Sequence, residues 1–561
     1  LPLAPQQPSP DQKAEAFNLI GLSHFQLGQF HEAAAQLQAA MAASATWRQA
    51  DETLLYLART QSKLEQTEQA LATLETLLQA HPATTLADQV YYQLGECRYA
   101  ADRFAEAIAA YGQVIEKFPQ STYLPYALYG QGWAALKAGQ YDVAVASLTA
   151  LIDQHPDHPL RSDSLLARGM SLRQQQKYAE AIADIDQFLT ASPHSAQRAD
   201  ALYERGLAEA AQGEFAKAAQ TLTTLLTEQP DYAGADNVLY ELGWAYRSQP
   251  DEAAAVQTFA TLAAKHPASP LAAEANFHVA EDHYVKKQYA EAVQAYTQAA
   301  QANNPALSEK VHYKLAWAHY QLQQYPQSLE QFQAQLDAHP QGSLASDAWF
   351  MKGECLFRMQ NYEQALPALV EAAKLEASSP QIAVLRQLHA GQAALQLQKY
   401  PESIALFDAL ITQFPDSNYL ADAYCERGRA HQQLNQLEQA IADYKQAAER
   451  SRGAAGARAQ FMLGELGFQQ KQFDEAIKDF QRVMFRYGTE QVPPDVQTWQ
   501  AKAGYEAGRC CEVLIESAAT PADRTSRIAD ATKFYRYVVE THPDNELAAE
   551  ARKRLDALAQ L

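Results

Sequence analysis

The stretch Tyr91–Pro119, YYQLGECRYAADRFAEAIAAYGQVIEKFP, decides the fold. It reads as two helical runs separated by a short polar turn and closed by a proline, which cannot continue a helix and forces the chain to turn. Gly95 lies in the middle of the first run, and Ala107, twelve residues later, lies in the second. Small residues at such a pair of sites let two antiparallel helix backbones approach closely. Phe104, at the start of the second run, supplies an aromatic plug. The segment is a helical hairpin.

Working outward, the same hairpin recurs along the chain. The small residue of the first helix is Gly21, Ala58, Gly95, Gly132, Gly169, Gly206, Gly243, Ala280, Ala316, Gly353, Gly391, Gly428, Gly464 and Gly508; these mark repeats 1 to 14 below. The first seven steps are 37 residues each, and the later ones are 36, 37, 38, 37, 36 and 44. The second small residue follows twelve positions later in all but the last unit, from Ala33 and Ala70 to Ser328, Ser403 and Ala476. A proline closes many units, at Pro82, Pro119, Pro156, Pro193, Pro230 and Pro267 among others, and Ser or Asp usually follows, read here as the next N-cap.

Bulk properties agree with a repeat array. At 561 residues the chain exceeds what one hydrophobic core supports, and Ala, Leu, Gln and Glu, all good helix formers, dominate without strand-like alternation. No apolar run approaches the roughly 18 residues of a membrane span, so no direct membrane insertion is expected. A formal net charge of -21 argues against nucleic acid or anionic lipid as a general partner, since either needs a basic stripe. The five cysteines, Cys97, Cys355, Cys425, Cys510 and Cys511, lack metal-ligand spacing and read as small packing residues inside helices.

These residues resemble the tetratricopeptide repeat family, whose signature is met in the third unit by Tyr91, Leu94, Gly95, Ala107, Tyr111 and Pro119 and in register over nearly the whole chain. The resemblance implies an all-α, right-handed superhelical solenoid of about fourteen helix-turn-helix repeats. The longer period, with extra residues after the proline in FPQSTYLPYAL, HPASPLAAEAN and FPDSNYLADAY, is similar to that of bacterial cell-envelope members of the family. It points to an exported protein of the periplasm or cell envelope, with a cytoplasmic location as the alternative.

The expected organisation is a Pro-rich leader at 1–10, thirteen repeats over 11–488, a divergent last repeat at 489–543 and a capping helix at 544–561. The leader LPLAPQQPSP reads either as a linker left by signal-peptide removal or as an artificial boundary. In the last repeat the first helix is expected to end near Glu516, with an exposed loop through SAATPADRTS before the second. Leu547, Ala548, Ala551, Leu555 and Leu558 give the terminal helix one apolar face, as the end of a solenoid requires.

In the family the first helices line a concave groove, with the positions three before, one after and four after the repeat glycine pointing into it. Carried over, this names Tyr99, Tyr129, Trp133, Tyr203, Tyr240, Trp244, Arg247, Tyr284, Tyr313, Trp317, Tyr320, Phe357 and Phe468 as candidate partner-binding residues. Tyr92, Phe277, Phe350, Phe461 and Tyr505 occupy equivalent sites. An aromatic three before the glycine often packs on the neighbouring hairpin; those one or four after it, notably Trp133, Trp244, Trp317, Tyr284 and Tyr320, are less needed for packing. Exposed Trp and Tyr dominate interface hot spots. Interleaved charges, Arg59, Arg173, Arg247, Arg429, Arg509, Glu96, Glu281, Glu354 and Glu465, suit a polar, extended ligand, each one singly being expected to be solvated.

No phosphate loop, zinc-protease, nucleophile-elbow or CxxC motif occurs, and His155 and His158 read as turn residues rather than metal ligands. No catalytic residue, metal or cofactor is expected, and a small-molecule ligand is disfavoured. The expected function is a non-catalytic scaffold that holds an extended peptide or partner helix in the aromatic groove, possibly with a second protein on the convex face. The alternative is an envelope protein assisting polysaccharide or cell-wall handling.

Overall fold

The computed structural model describes residues 8–302, 304–487 and 492–560; the leader residues 1–7 lie outside them. Among the described residues there are 29 helices and no strand, arranged as fourteen consecutive pairs and a last helix, Leu547–Leu558. The chain divides into two compact units, Leu1–Leu271 with repeats 1 to 7 and Ala272–Leu561 with repeats 8 to 14. Within each unit every helix packs on the next, and first helices of successive repeats also touch, whereas second helices make no comparable contact with one another. The chain is an all-α repeat solenoid. In each unit the first helices form the inner layer and the second helices the outer one.

The hairpins cross where the small residues lie. Ala33, Ala107, Ala218, Ala292, Ser328, Ser403 and Ala476 are all 0% exposed. Where serine replaces alanine its hydroxyl is satisfied: Ser328 Oγ donates to the Ala316 carbonyl and Ser403 Oγ to the Gly391 carbonyl, both at 2.8 Å. Opposite the repeat glycine sits a large side chain sixteen residues on. The Tyr111 ring lies against Gly95 of its own repeat and Gly130 of the next, so that a Cβ on either would collide with it.

The turn inside each of the first thirteen hairpins places one residue at positive φ, seven positions after the repeat small residue. Gly28, Gly139 and Gly213 meet that demand at no steric cost (φ 73°, 72° and 86°). Elsewhere Asp102, Gln176, Gln360, Asn435 and Lys471 adopt it at φ 57–62°.

The expectation that Ser or Asp after the proline caps the next helix is corrected. The first helices of repeats 3 and 4 are capped by Leu86 and Tyr123, neither of which makes a side-chain cap bond. The hydroxyl lies two residues earlier and works differently. Thr84 and Ser121 accept from the N–H two residues on, at 3.1 and 3.0 Å, and donate to Asp51 and Asp88 of the preceding repeat, at 2.7 and 2.6 Å. Ser269 does the same with Leu271 and Asp236. At Thr84, Ser121 and Ser269 the residues that lengthen the repeat thus build a turn bound to the first helix of the preceding repeat.

The loop expected in the last repeat is also corrected. Its first helix is Pro494–Glu516, and the second already begins at Pro521 and runs to Thr541. Thr520 accepts from the Asp523 N–H, Pro521 stands in the first turn where its missing N–H costs nothing, and Asp523 favours the helix N-terminus, so PADRTS is helical. The last helix buries Ala548, Ala551 and Leu558.

Candidate functional site

All thirteen candidate groove residues lie on first helices and all are half-buried. The structure sorts them by register. The aromatic three before the repeat glycine leans on the large residue sixteen after it: Tyr240 on Phe259 with ring centroids 6.2 Å apart and Tyr313 on Phe332 at 6.0 Å, as do Phe277 on Tyr296 and Phe461 on Phe480. Tyr203 packs on the core of repeat 6, and burial pushes its hydroxyl up to about 12. These rings are held by the fold on one side.

Where the residue after the glycine is tryptophan, it pairs with that same tyrosine one helical turn back. Tyr129–Trp133, Tyr240–Trp244 and Tyr313–Trp317 have centroids 6.3, 6.2 and 6.3 Å apart and ring planes at 68°, 72° and 68°. The edge-to-face geometry matches the quadrupole preference of aromatic pairs and recurs three times. Arg247 lies over Trp244 at 5.4 Å and is held by Glu252 at 2.7 Å.

The aromatics four after the glycine are needed for packing, contrary to the expectation for Tyr284 and Tyr320. Each packs edge-on against the aromatic that opens the second helix: Tyr99–Phe104 at 5.4 Å, Tyr284–Tyr289 at 5.3 Å, Tyr320–Tyr325 at 5.5 Å, Phe357–Tyr362 at 5.4 Å and Phe468–Phe473 at 5.3 Å. Together they clasp the hairpin turn. A second clasp has the same reach: His24, His283, His319 and His431 bond through Nδ1 to Gln29, Gln288, Gln324 and Gln436, at 2.5 to 2.8 Å. A histidine five residues before a glutamine at each of these turns was the sequence signal.

Most interleaved charges are bound within the chain rather than solvated. Arg59 donates to Gln89 and Tyr123, Arg173 pairs with Glu204 at 2.6 Å, Arg429 with Glu426 at 2.8 Å and Arg509 with Glu506 at 2.8 Å. Glu96 accepts the buried Tyr111 hydroxyl at 2.5 Å, and Glu281 accepts the Tyr296 hydroxyl and the Lys314 ammonium. The tyrosine sixteen after the glycine therefore explains the glutamate one after it. Repeat 10 carries Leu369 at that tyrosine position, and its Glu354 is held instead by Arg358 at 2.7 Å, His389 at 2.6 Å and the Tyr320 hydroxyl at 3.2 Å. Burial alone would raise the Glu354 carboxyl, but its interactions with His389 and Arg358 outweigh that and hold it at about 2. Glu465 is the exception, raised by burial and by the neighbouring Glu506.

Burial pushes the thiol of Cys355 up to about 11 and those of Cys510 and Cys511 up to about 12, which leaves them as packing groups. Among the described residues no group of three or more His, Cys, Asp or Glu could hold a metal ion. Among them, too, no helix is long and apolar enough to cross a membrane. His155 and His158 lie in the turn between repeats 4 and 5. What the inner layer offers is aromatic edges and fixed polar groups.

Tetratricopeptide repeat family models match residues 129–196, 166–233 and 237–307, residues 52–84 and 89–121, and residues 457–484. A family model described as outer membrane lipoprotein matches residues 273–466. No curated protein matches. Similar solved structures include the C-terminal part of a TPR repeat-containing protein from Cytophaga hutchinsonii, 18% identical over 46% of this chain and 98% of that one, with a TM-score of 0.39. YrrB, described as a TPR protein with an unusual peptide-binding site, is 20% identical over 36% of this chain and 95% of its own, TM-score 0.30. A tetratricopeptide repeat protein from Parabacteroides merdae is 15% identical over 55% of this chain and 99% of its own, TM-score 0.27.

Proposed function

Because this chain belongs to the tetratricopeptide repeat family and is an interaction scaffold, we propose that it holds an extended peptide or a partner helix against the inner layer of first helices. The three Tyr–Trp pairs carry this reading. In Tyr129–Trp133, Tyr240–Trp244 and Tyr313–Trp317 the tyrosine is spent on the core, while the tryptophan beside it adds a large, half-buried face. Such rigid aromatic faces bind with little loss of rotamer freedom. The fixed charges around them would orient the ligand.

The test is Trp244→Ala and Trp317→Ala, singly and together, with helicity followed by circular dichroism. Partner capture should fall while the fold is kept, and an unchanged capture profile from a folded double variant refutes the inner-layer assignment.

We further propose a bacterial envelope location, supported by the match of residues 273–466 to the outer membrane lipoprotein family. Fractionation of cells carrying the full gene product should recover it with the periplasm or envelope; recovery in the cytoplasm refutes this.

A further inference from the structure

The outer layer carries a second surface that the inner-layer reading does not use. Second helices of neighbouring repeats part to leave grooves whose floor is the outward stripe of the first helix between them, four before, one before and three after the repeat glycine. In repeat 6 that floor is Leu202, Arg205 and Glu209, and in repeat 13 it is Gln460, Leu463 and Gly467. The polar floor residues of both are engaged within the chain: Arg205 is ion-paired with Asp186 at 3.1 Å and Glu209 at 3.2 Å, and Gln460 donates to Asp479 at 2.9 Å.

Repeat 10 breaks this pattern. Its groove, about 640 Å³, lies between the second helices Tyr325–Ala338 and Tyr362–Lys374, with Trp349, Lys352 and Leu356 as its floor. Trp349 is the one tryptophan at this position, which other repeats fill with leucine, a polar residue, glycine or the smaller aromatics Phe17, Tyr91 and Tyr424, and it is only half-buried. Lys352 holds the position of Arg168 and Arg427, which are bound by Asp184 and Asp443 sixteen residues on. In repeat 10 that residue is Ala368, and the Lys352 ammonium rests on the Trp349 ring at 4.4 Å, with no hydrogen-bonded carboxylate among the described residues. Pro367, inside the second helix, also lines the groove and offers no N–H to the Glu363 carbonyl, leaving an acceptor at the rim.

On the rim Glu330 and Glu363 are exposed and, among the described residues, in no ion pair, while Glu371 is paired with Lys374 at 2.5 Å. We propose that this groove docks an amphipathic helix of another protein that carries apolar side chains on one face, flanked by Lys or Arg. The floor stripe spans eight residues of helix, Trp349 to Leu356, about 10 Å, which matches two turns of a partner helix laid along it. An apolar side chain fits over Trp349 and the Lys352 stem, and cations on its flanks meet Glu330 and Glu363. A second copy of this chain is a poor occupant, because its net charge of -21 and the same acidic rim would repel.

The experiment selects a helix-constrained random peptide library, displayed on phage, on the full chain. The enriched peptides are then measured by fluorescence anisotropy against wild type, Glu330→Lys/Glu363→Lys and Trp349→Ala. Enriched sequences should pair apolar residues at i and i+4 with Lys or Arg, and the charge reversal should weaken them about tenfold or more. Their affinity for wild type should fall between about 50 and 300 mM salt. The two glutamates are exposed, so this variant stays informative even if Trp349→Ala fails to fold. Absence of enrichment, enrichment of acidic peptides, or equal affinity for the charge-reversed chain overturns the proposal. So does loss of binding in Trp244→Ala/Trp317→Ala, which would move the peptide to the inner layer.

Discussion

Replacing Gly95 by alanine sets two effects against each other. Removing a glycine from a helix interior gains about 1 kcal/mol in propensity. Against that, an ideal Cβ on Gly95 would lie 2.6 Å from Tyr111 Cδ1, 2.7 Å from Cζ and closer still to Cε1, where carbon atoms need about 3.5 Å. The ring has nowhere to retreat. It is 1% exposed, its hydroxyl is bonded to Glu96, and on the next repeat a Cβ at Gly130 would meet the same ring 2.5 Å from Cζ. Overpacking that cannot relax costs about 3 kcal/mol, the upper end of its range, so a net loss of about 2 kcal/mol is expected. Gly112, in the second helix of the same repeat, is the control: its Cβ would meet only the end of Gln131, at 3.3 Å, so Gly112→Ala should be neutral or stabilising by up to about 1 kcal/mol. Urea melts followed by far-ultraviolet circular dichroism would separate them, with Tyr111→Ala added to Gly95→Ala expected to cost less than the sum of the two changes. A Gly95→Ala chain as stable as wild type, or purely additive effects, would refute the account of the repeat glycine as room for the plug.

Glu354 gives a pH dependence. Its folded value of about 2 lies below the ordinary 4.5, so the stabilisation is fully present above pH 4.5 and is lost as pH falls towards 2; the shift corresponds to about 3 kcal/mol. Glu354→Gln should remove that part of the acid sensitivity and destabilise the chain near neutrality, and an acid melt with an unchanged slope would contradict the assigned role of His389 and Arg358. Gln360, at φ 60° in a hairpin turn, should become about 1 kcal/mol more favourable as glycine or asparagine, since the left-handed region penalises a longer side chain. Thermal melts of Gln360→Gly against wild type check this, and a lowered midpoint would count against it.

The period, the hairpin and its closing proline were legible because each is a local steric demand: Gly95 must admit Tyr111, Ala107 must admit a backbone, and Pro119 cannot continue a helix. The end of the last hairpin was misread because SAATPADRTS contains Pro, Ser and Thr, which mark both loops and helix starts, and only the Thr520 cap decides between them. The candidate groove residues all fall on first helices, but helix register alone does not say what faces them. Tyr99, Tyr284, Tyr320, Phe357 and Phe468 looked available because the aromatic that engages each lies five residues on, across a turn. Trp349 was passed over for the opposite reason, since its position four before the glycine lay outside the three taken to face the groove. In a repeat array most positions are explained by their equivalents, so the informative ones are those whose equivalents have a partner that they lack. The change from Asp184 and Asp443 to Ala368 is such a departure, and it is visible in the sequence once the ion pairs of repeats 5 and 12 show what that position is for.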